Sequence, residues 1–300
     1  MKRMSVIVSL FLALLMVFSM AAAVAEDTTI TVTDMFDRVI TLPGPARRVV
    51  VMEPGDCEIL CALGCEDALV GRGMYCDYPQ SILSLPALQS GSTTNLEQVL
   101  ALAPDVVIMS GMDHPKEQVD MLEQNSVQVV TTYAASIDDV YEAIRLLGAV
   151  MGKDAEAEAL IAEMQGVFAA IAEKSAASDK TIYFEVMPLE WGLWSAGSGT
   201  FMHELAEICG MKNAFADLDG WQPISQEQVI ARNPDYIVLV TSMGDTAAAE
   251  VMGRAGWGDI PAVRDGLVYN ADSYMMTRPS PRLMDAAIDL YEFLHGEAWE

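Results

Sequence analysis

The sequence contains few of the side chains on which most enzymes depend for catalysis. Histidine occurs three times in 300 residues, as His114, His203 and His295, in separate segments and without an HExxH-type spacing. Neither a nucleophile paired with a base nor a triad of metal ligands is apparent, so we expect a protein that is not an enzyme. A site for bare zinc or manganese is not expected either, because such sites normally take several histidine ligands.

Basic residues are also scarce, since 17 lysines and arginines face 43 aspartates and glutamates and leave a formal net charge of −26. Such acidity argues against nucleic acid or an anionic membrane surface as a partner. It favours solubility and docking on a basic partner surface. We therefore expect no nucleic-acid partner.

Only the N-terminus carries a long apolar run. Lys2 and Arg3 precede an apolar stretch over 5–20, and small residues at Ala23 and Ala25 follow. This pattern predicts a secretory signal peptide, cut after Ala25, and a periplasmic or otherwise extracytoplasmic mature chain. An uncleaved anchor is the alternative, although the run is shorter than the roughly 20 apolar residues of a membrane span. No cysteine that could accept a lipid follows the run.

The cysteines are few and odd in number. They are Cys57, Cys61, Cys65, Cys76 and Cys209. The first three repeat every four residues and would share one face of a helix. They form either a metal-cluster site, which would make the chain a redox protein, or a set of buried side chains that act as small apolar residues. The absence of a CxxC or Cys-His spacing favours burial, and the spacing leaves open whether any pair forms a disulfide.

Strand and helix patterns alternate along most of the chain, which predicts parallel sheets covered on both faces. A hairpin is expected over 28–42, and Asp56 is expected to be the N-cap of a helix that ends near Leu63. A helical pattern over 137–177 breaks near 152–154, and its second part is expected to join two lobes as one stiff helix. A last helix is expected over 282–294. Strands are predicted at 49–52, 68–72, 105–109, 127–132, 181–186, 236–241 and 267–270.

An internal repeat supports two lobes of similar construction. Residues 95–108 and 225–238 are identical at six of fourteen positions, with a constant offset of 130 residues. Each copy begins with a helix-capping residue, passes a proline that ends the helix, and continues into an apolar strand. Glu97 and Glu227 hold the same place in the two copies. An acid in the first turn of a helix is favoured locally, but a matched pair also suits a partner with two related basic sockets.

These patterns divide the chain into a signal peptide (1–25), an N-terminal α/β lobe (26–153), a bridging helix (154–178) and a C-terminal α/β lobe (179–300). Open α/β sheets bind ligands at the carboxyl ends of their strands, so a ligand is expected in the cleft between the lobes.

The loops that follow the predicted strands carry aromatic, methionine and charged side chains suited to a large, flat, partly apolar ligand. The predicted ligand-binding residues are Glu53, Tyr75, Tyr78, Met112, Trp191, Trp194, Trp221, Tyr274, Met275 and Arg278. Arg278 is expected to meet an acidic or phosphate group of the ligand, and a salt bridge within the protein is the alternative.

Taken in order, several short motifs resemble the solute-binding proteins of metal-chelate ABC importers, which take up ferric siderophores, haem or cobalamin. The resemblance covers nearly the whole mature chain, and no single motif in it is strong. The motifs are the signal peptide, Thr33-Asp34, Ala62-Leu-Gly64 with Val70-Gly71, Asp77-Tyr78-Pro79, Asn95-Leu-Glu97 through Pro104-Asp105, Ser225-x-Glu-Gln-Val and Arg278-Pro-Ser-Pro-Arg282.

The resemblance implies two Rossmann-like lobes with parallel sheets, bridged by a single long helix and with little hinge motion. It implies that Glu97 and Glu227 dock on arginines of an ABC permease dimer with its ATPase subunits. Arg278 matches the family's pocket arginine, and Trp221 matches an aromatic that packs on cobalamin. The ligand is expected to be an iron-siderophore type of metal chelate, with cobalamin or haem as the alternative. A monomer without a cofactor of its own is expected.

Overall fold

The computed structural model describes residues 29–111, 115–241 and 246–299. The signal peptide with its cleavage site, Met112 and His114 lie outside these ranges. Within these ranges, no helix combines the length and apolar character needed to cross a membrane.

The predicted N-terminal hairpin is confirmed. Strands β1 (Ile30–Thr33) and β2 (Val39–Leu42) pair antiparallel. The Asp34 carboxylate holds the turn, because it accepts the backbone N–H of Phe36 at 3.0 Å and pairs with the Arg38 guanidinium at 2.9 Å.

Five parallel strands form the first sheet, in the order β5–β4–β3–β6–β7. They are β3 (Val49–Val51), β4 (Leu69–Gly73), β5 (Ala87–Leu88), β6 (Val106–Ser110) and β7 (Gln128–Thr132). The helices of this half are α1 (Pro54–Ala62), α2 (Leu96–Ala101), α3 (Lys116–Gln124) and α4 (Ile137–Met151). The three residues of β3 are completely buried, as expected for a central strand covered on both faces.

The expectation that Asp56 is the N-cap of the first helix is wrong. Helix α1 begins at Pro54, so Glu53 occupies the cap position and Asp56 lies in the first turn. Proline suits the first helical position because its fixed φ favours the helix and the missing N–H would have no intrahelical partner there.

A long helix follows α4, as predicted. The chain turns at Gly152, whose φ of 66° is left-handed, and continues into α5 (Asp154–Lys174). The buried residues of α5 recur at helical spacing and belong to one apolar cluster with side chains from both halves of the chain. They are Ala157, Ile161, Met164, Phe168 and Ile171. Helix α5 therefore joins the two halves through a shared core.

The second sheet has four parallel strands in the order β10–β8–β12–β13, and β9 and β11 form a separate antiparallel pair. The strands of this half are β8 (Thr181–Glu185), β9 (Trp194–Ala196), β10 (Lys212–Asn213), β11 (Trp221–Pro223), β12 (Tyr236–Leu239) and β13 (Val268–Asn270). Its helices are α6 (Phe201–Ile208), α7 (Gln226–Arg232), α8 (Ala247–Met252), α9 (Pro261–Arg264), α10 (Ser273–Thr277) and α11 (Leu283–His295).

The internal repeat corresponds to a repeated structural unit. Helix α2 leads into β6, which pairs with β3, and helix α7 leads into β12, which pairs with β8. The Asp105 carboxylate accepts the backbone N–H of Arg47 just before β3, and the Asp235 carboxylate accepts that of Thr181 at the start of β8, both at 2.8 Å. The repeated Pro-Asp pair thus ends a helix and ties two neighbouring strands together in each half.

The ends of α2 and α7 also correspond. Ala103 and Asn233, which are 130 residues apart, adopt left-handed φ values of 46° and 50°. This conformation is costly for alanine but tolerated by asparagine. Both residues are exposed, so their side chains contribute little packing.

Replacing Ala103 by Asn should therefore raise the free energy of unfolding by about 0.5–1 kcal/mol, and the reverse change, Asn233→Ala, should lower it by a similar amount. Urea unfolding midpoints of the two variants and the wild type measure both effects. Equal midpoints for all three proteins would contradict the matched role of the two positions.

Candidate functional site

A cavity of about 860 Å³ opens at the carboxyl ends of the strands of the first sheet. Glu53 follows β3, Ser110 ends β6, and Thr132 and Tyr133 stand at the end of β7, and all four line the cavity. From β3 the chain builds the sheet outwards on one side through β4, and it then returns to the other side of β3 as β6. The loops after β3 and β6 diverge at such a switch point and leave a crevice between them.

The second half of the chain supplies the facing wall. Val186 follows β8, Phe201 begins α6, Trp221 begins β11, and the segment from Tyr274 to Pro279 spans the end of α10. The cavity therefore lies between the two halves, at the place where the strand order predicts a ligand.

Nine of the ten predicted ligand-binding residues fall within the described ranges, and five of these nine line the cavity. The five are Glu53, Tyr75, Trp221, Tyr274 and Arg278. The other four, Tyr78, Trp191, Trp194 and Met275, are not among the described lining residues, and Met112 lies outside the described residues.

Local packing explains where these four side chains go. The Tyr78 ring lies 4.2 Å from the Arg282 guanidinium, Trp194 belongs to the β9–β11 pair, and Met275 packs against the main apolar cluster. Trp191 is 70% exposed and is the last residue of a short 3-10 helix (Leu189–Trp191) that follows Val186. Their predicted contact with a ligand stays a prediction.

Several lining residues were not predicted from the sequence. Tyr133 directly follows a predicted strand, so the rule that selected the other loop residues would also have found it. Phe201 and Met202 lie in the first turn of α6 and line the cavity from within a helix. Asp56 lies in the turn after β3 that was expected at the cleft, but it was not among the predicted ligand-binding residues.

Asp56 is the most perturbed acid of the cavity. It is 5% exposed, and one carboxyl oxygen, Oδ2, accepts a hydrogen bond from the Thr132 hydroxyl at 2.7 Å. The other oxygen has no hydrogen-bond partner among the described residues. Burial raises the pKa of Asp56 to about 7, and the hydrogen bond from Thr132 offsets only part of that rise.

Replacing Asp56 by Asn should stabilise the folded protein more at pH 8 than at pH 5. An unfolded aspartate ionises near pH 4, whereas the folded carboxyl stays protonated up to about pH 7. Between these values each pH unit favours unfolding of the wild type by about 1.4 kcal/mol, so the advantage of the variant should grow by on the order of 2–3 kcal/mol from pH 5 to pH 8.

Urea unfolding at the two pH values measures this difference. Asp67→Asn is the matched control, because Asp67 is exposed and the same substitution there should change stability equally at both pH values. If the difference in unfolding free energy between Asp56→Asn and the wild type did not grow with pH, the Asp56 carboxyl could not be buried with a raised pKa.

Arg278 lines the cavity but is already paired within the protein. Its side chain is 9% exposed, and Nη1 donates to Glu58 at 3.0 Å and to Asp77 at 2.7 Å. Nη2 donates to the Tyr75 carbonyl at 3.2 Å, and the Tyr274 ring lies 4.3 Å from the guanidinium carbon. The salt-bridge alternative considered for this arginine is thus observed, and its contact with a ligand stays a prediction.

Glu58 connects the two halves through this arginine. Its carboxylate, on α1 and 2% exposed, also accepts the Ser280 hydroxyl at 2.6 Å and lies 3.4 Å from Nη1 of Arg282. Removing one partner of a buried ion pair leaves the other charge uncompensated, which typically costs about 3–5 kcal/mol. Arg278 therefore has a structural role at the edge of the cavity.

Four of the five cysteines are buried, which confirms that most of them act as core side chains, and all five are free thiols. Burial raises the pKa of Cys209 to about 12 and also raises the pKa of Cys65. Thiols in such surroundings stay protonated, whereas a metal cluster needs thiolates. Among the described residues, no group of three or more histidine, cysteine, aspartate or glutamate side chains could hold a metal ion.

Glu97 and Glu227 stand in closely similar surroundings. Each is exposed and occupies the second position of its helix, α2 or α7. Asn95 caps α2 by accepting the backbone N–H of Glu97 at 3.1 Å, and Ser225 and Gln228 form a capping box on α7. Residues 91–110 and 221–240 can be aligned over 20 positions. At 18 of these positions the two residues are alike in being buried, partly buried or exposed, so the two segments are embedded in the protein in the same way.

Two α/β halves, a bridging helix and a cavity between them define a two-lobed binding protein. Residues 49–275 match the periplasmic binding protein family, and the chain belongs to this family.

Curated relatives extend the match over most of the chain. It is 30% identical over 289 residues to the uncharacterized ABC transporter substrate-binding lipoprotein YvrC of Bacillus subtilis strain 168, covering 94% of this chain and 90% of that protein. It is 28% identical to the vitamin B12-binding protein of Salmonella choleraesuis strain SC-B67, covering 82% and 89%.

A solved structure of similar fold is the apo form of the periplasmic heme-binding protein RhuT from Roseiflexus sp. RS-1. The TM-score is 0.74 at 24% identity, and the match covers 84% of this chain and 98% of that one. The predicted fold class, two α/β lobes bridged by a long helix, is confirmed.

Proposed function

We propose that this protein is the extracytoplasmic substrate-binding subunit of an ABC importer and not an enzyme. It captures a metal chelate, most simply of the iron-siderophore type, and delivers it to the permease. The observation that carries this proposal is the 860 Å³ cavity, which lies between two α/β halves in a chain of the periplasmic binding protein family. A cavity of this size matches the usual range of about 300–1,000 Å³ for small-molecule sites.

Aromatic side chains support a large, partly flat ligand. Tyr75, Tyr133, Trp221 and Tyr274 line the cavity from both halves, and their rings supply apolar faces with a polar edge. A corrinoid or a haem is the second candidate within the same class. Trp221 favours it, because this ring borders the cavity beside Phe201, with the two ring centroids 5.6 Å apart.

The proposal includes the fate of the N-terminus and the partners. The signal peptide directs export and is removed after Ala25, so the mature chain acts in the periplasm or otherwise outside the cytoplasm. It works as a monomer, without a resident cofactor, and presents its ligand to a permease dimer driven by ATPase subunits.

A ligand screen tests the proposed function. Ferric hydroxamates, ferric catecholates, haem and corrinoids are added to the purified protein, and the melting temperature and tryptophan fluorescence are followed. We expect at least one chelate to raise the melting temperature, because binding to the folded state alone stabilises it. The same chelate should quench fluorescence, since Trp221 borders the cavity.

The control is Trp221→Phe, which should lose most of the quenching while the apolar contact is largely kept. Trp257 is completely buried in a separate apolar cluster of the second half and is not among the described lining residues, so a ligand in the cavity should not contact it. Stabilisation by none of these chelates would overturn the proposed function.

Glu97 and Glu227 are proposed to dock on the permease, one from each half. Replacing both by Ala should leave ligand affinity unchanged, because neither lines the cavity, and should strongly reduce ligand uptake by cells that contain the cognate permease. Calorimetry measures the affinity, and labelled ligand measures the uptake.

The matched control replaces Glu163 and Glu173, two exposed acids on α5, by Ala. This variant has the same change in net charge and should keep normal uptake. Normal uptake by the Glu97/Glu227 variant would overturn the docking role and leave the ligand proposal intact.

A further inference from the structure

The charges around the cavity restrict the kind of chelate that it can take. Among the described lining residues, the only basic side chain is Arg278. Both hydrogen bonds of its Nη1 go to carboxylates, Glu58 at 3.0 Å and Asp77 at 2.7 Å. Glu58 and Asp77 are not among the lining residues, so the balancing charges stand behind the arginine rather than in the space a ligand would fill.

This pairing changes what the arginine offers to a ligand. An arginine without carboxylate partners would present a full positive charge and a bidentate set of donors to an anion. Here an anionic ligand would have to compete with two carboxylates for the same guanidinium, and one of them, Glu58, is 2% exposed and has no access to water as a substitute partner.

The helix that points at the cavity is also unsuited to an anion. The first turn of α1, from Pro54 to Asp56, lines the cavity. The N-terminus of a helix normally attracts anions through its free N–H groups. In α1 the first of these groups is missing because residue 54 is proline, and the Asp56 side chain brings a carboxyl group to the same turn.

We propose that the cavity selects chelates without net negative charge, and that Asp56 is the specificity-determining residue that favours a cationic chelate over its neutral and anionic forms. This inference rests on the proposed function and names its substrate class. The unpartnered oxygen of Asp56 accepts a hydrogen bond from an ammonium or amide group of the ligand, while the tyrosines contact its apolar surface.

A set of chelates that differ in charge tests the proposal. Ferrioxamine B carries one ammonium group on a neutral iron-trihydroxamate core, its N-acetyl derivative is neutral, and its N-succinyl derivative is an anion. Cyanocobalamin provides a neutral corrinoid, and haem provides a dianion. Affinities are measured by calorimetry at pH 8, where Asp56 is mostly ionised, and in about 0.1 M salt, which leaves interactions at contact distance only partly screened.

Within the ferrioxamine series, the cation should bind at least tenfold more tightly than the anion, with the neutral form between them. Asp56→Asn should remove most of the preference for the cation over the neutral form. Asp77→Asn should increase the affinity for the N-succinyl derivative, because it releases part of the Arg278 charge. The Asp77 side chain is 40% exposed, so Asp77→Asn should not disturb the packing of buried side chains.

The outcomes separate this inference from the proposed function. Equal or tighter binding of the N-succinyl derivative, or haem as the tightest ligand of the five, would overturn the inference and keep the chelate-binding function. Binding of cyanocobalamin alone, at wild-type affinity in Asp56→Asn, would overturn the role of Asp56. Binding of a ferric catecholate, which is an anion, and of none of the five probes would overturn this inference and keep the proposed function, whereas binding of no chelate at all would overturn both.

Discussion

The ion pair between Arg278 and Glu58 is the contact on which the geometry of the cavity depends. It joins the segment after α10 to helix α1, which belong to different halves of the chain, and both side chains are less than a tenth exposed. Two buried charges of opposite sign stabilise each other only while they remain in contact. This contact therefore ties the two walls of the cavity together on this side.

A second buried ion pair has a local role instead. Glu185, at the end of β8, pairs with Arg254 at 2.6 Å, and Arg254 also pairs with Glu250 on α8 at 2.6 Å. All three lie in the second half, so this network ties the end of β8 to helix α8 and the segment that follows it. The contrast shows why the Arg278 network matters for the site: it crosses between halves, whereas the Glu185 network does not.

The fold could largely be predicted from the sequence because its signals are local. Apolar strands alternating with helical patterns, the break at Gly152 and the repeated Pro-Asp pair are each set by neighbouring residues. The predicted strands lie within two residues of their observed ends, whereas the long helix ends at Lys174, four residues before the predicted end. The position of the cavity followed from strand order. The misplaced N-cap at Asp56 was a local error, since Pro54 is itself a strong signal for the first helical position.

The chemistry of the site was less predictable because it depends on distant pairs. Glu58 and Arg278 are 220 residues apart, and nothing in either segment indicates the other. Asp56 is perturbed by its burial and contacts Thr132, which is 76 residues away. Trp194 and Met275 were predicted from their residue type, and the contacts the structure shows for them, strand pairing and core packing, could not be predicted from their segments alone.

The shared apolar stripe of α5 has a consequence for how the molecule is assembled and how it arose. One cluster takes in Val32 from the first hairpin and Leu294 from the last helix, with Met164 and Phe168 of α5 between them. If the halves descend from a duplicated ancestor, neither half now closes its apolar core without side chains from the other half. The two halves should then unfold together in a single cooperative transition on heating. A fragment that ends before α5 would expose to water the apolar side chains that α5 covers.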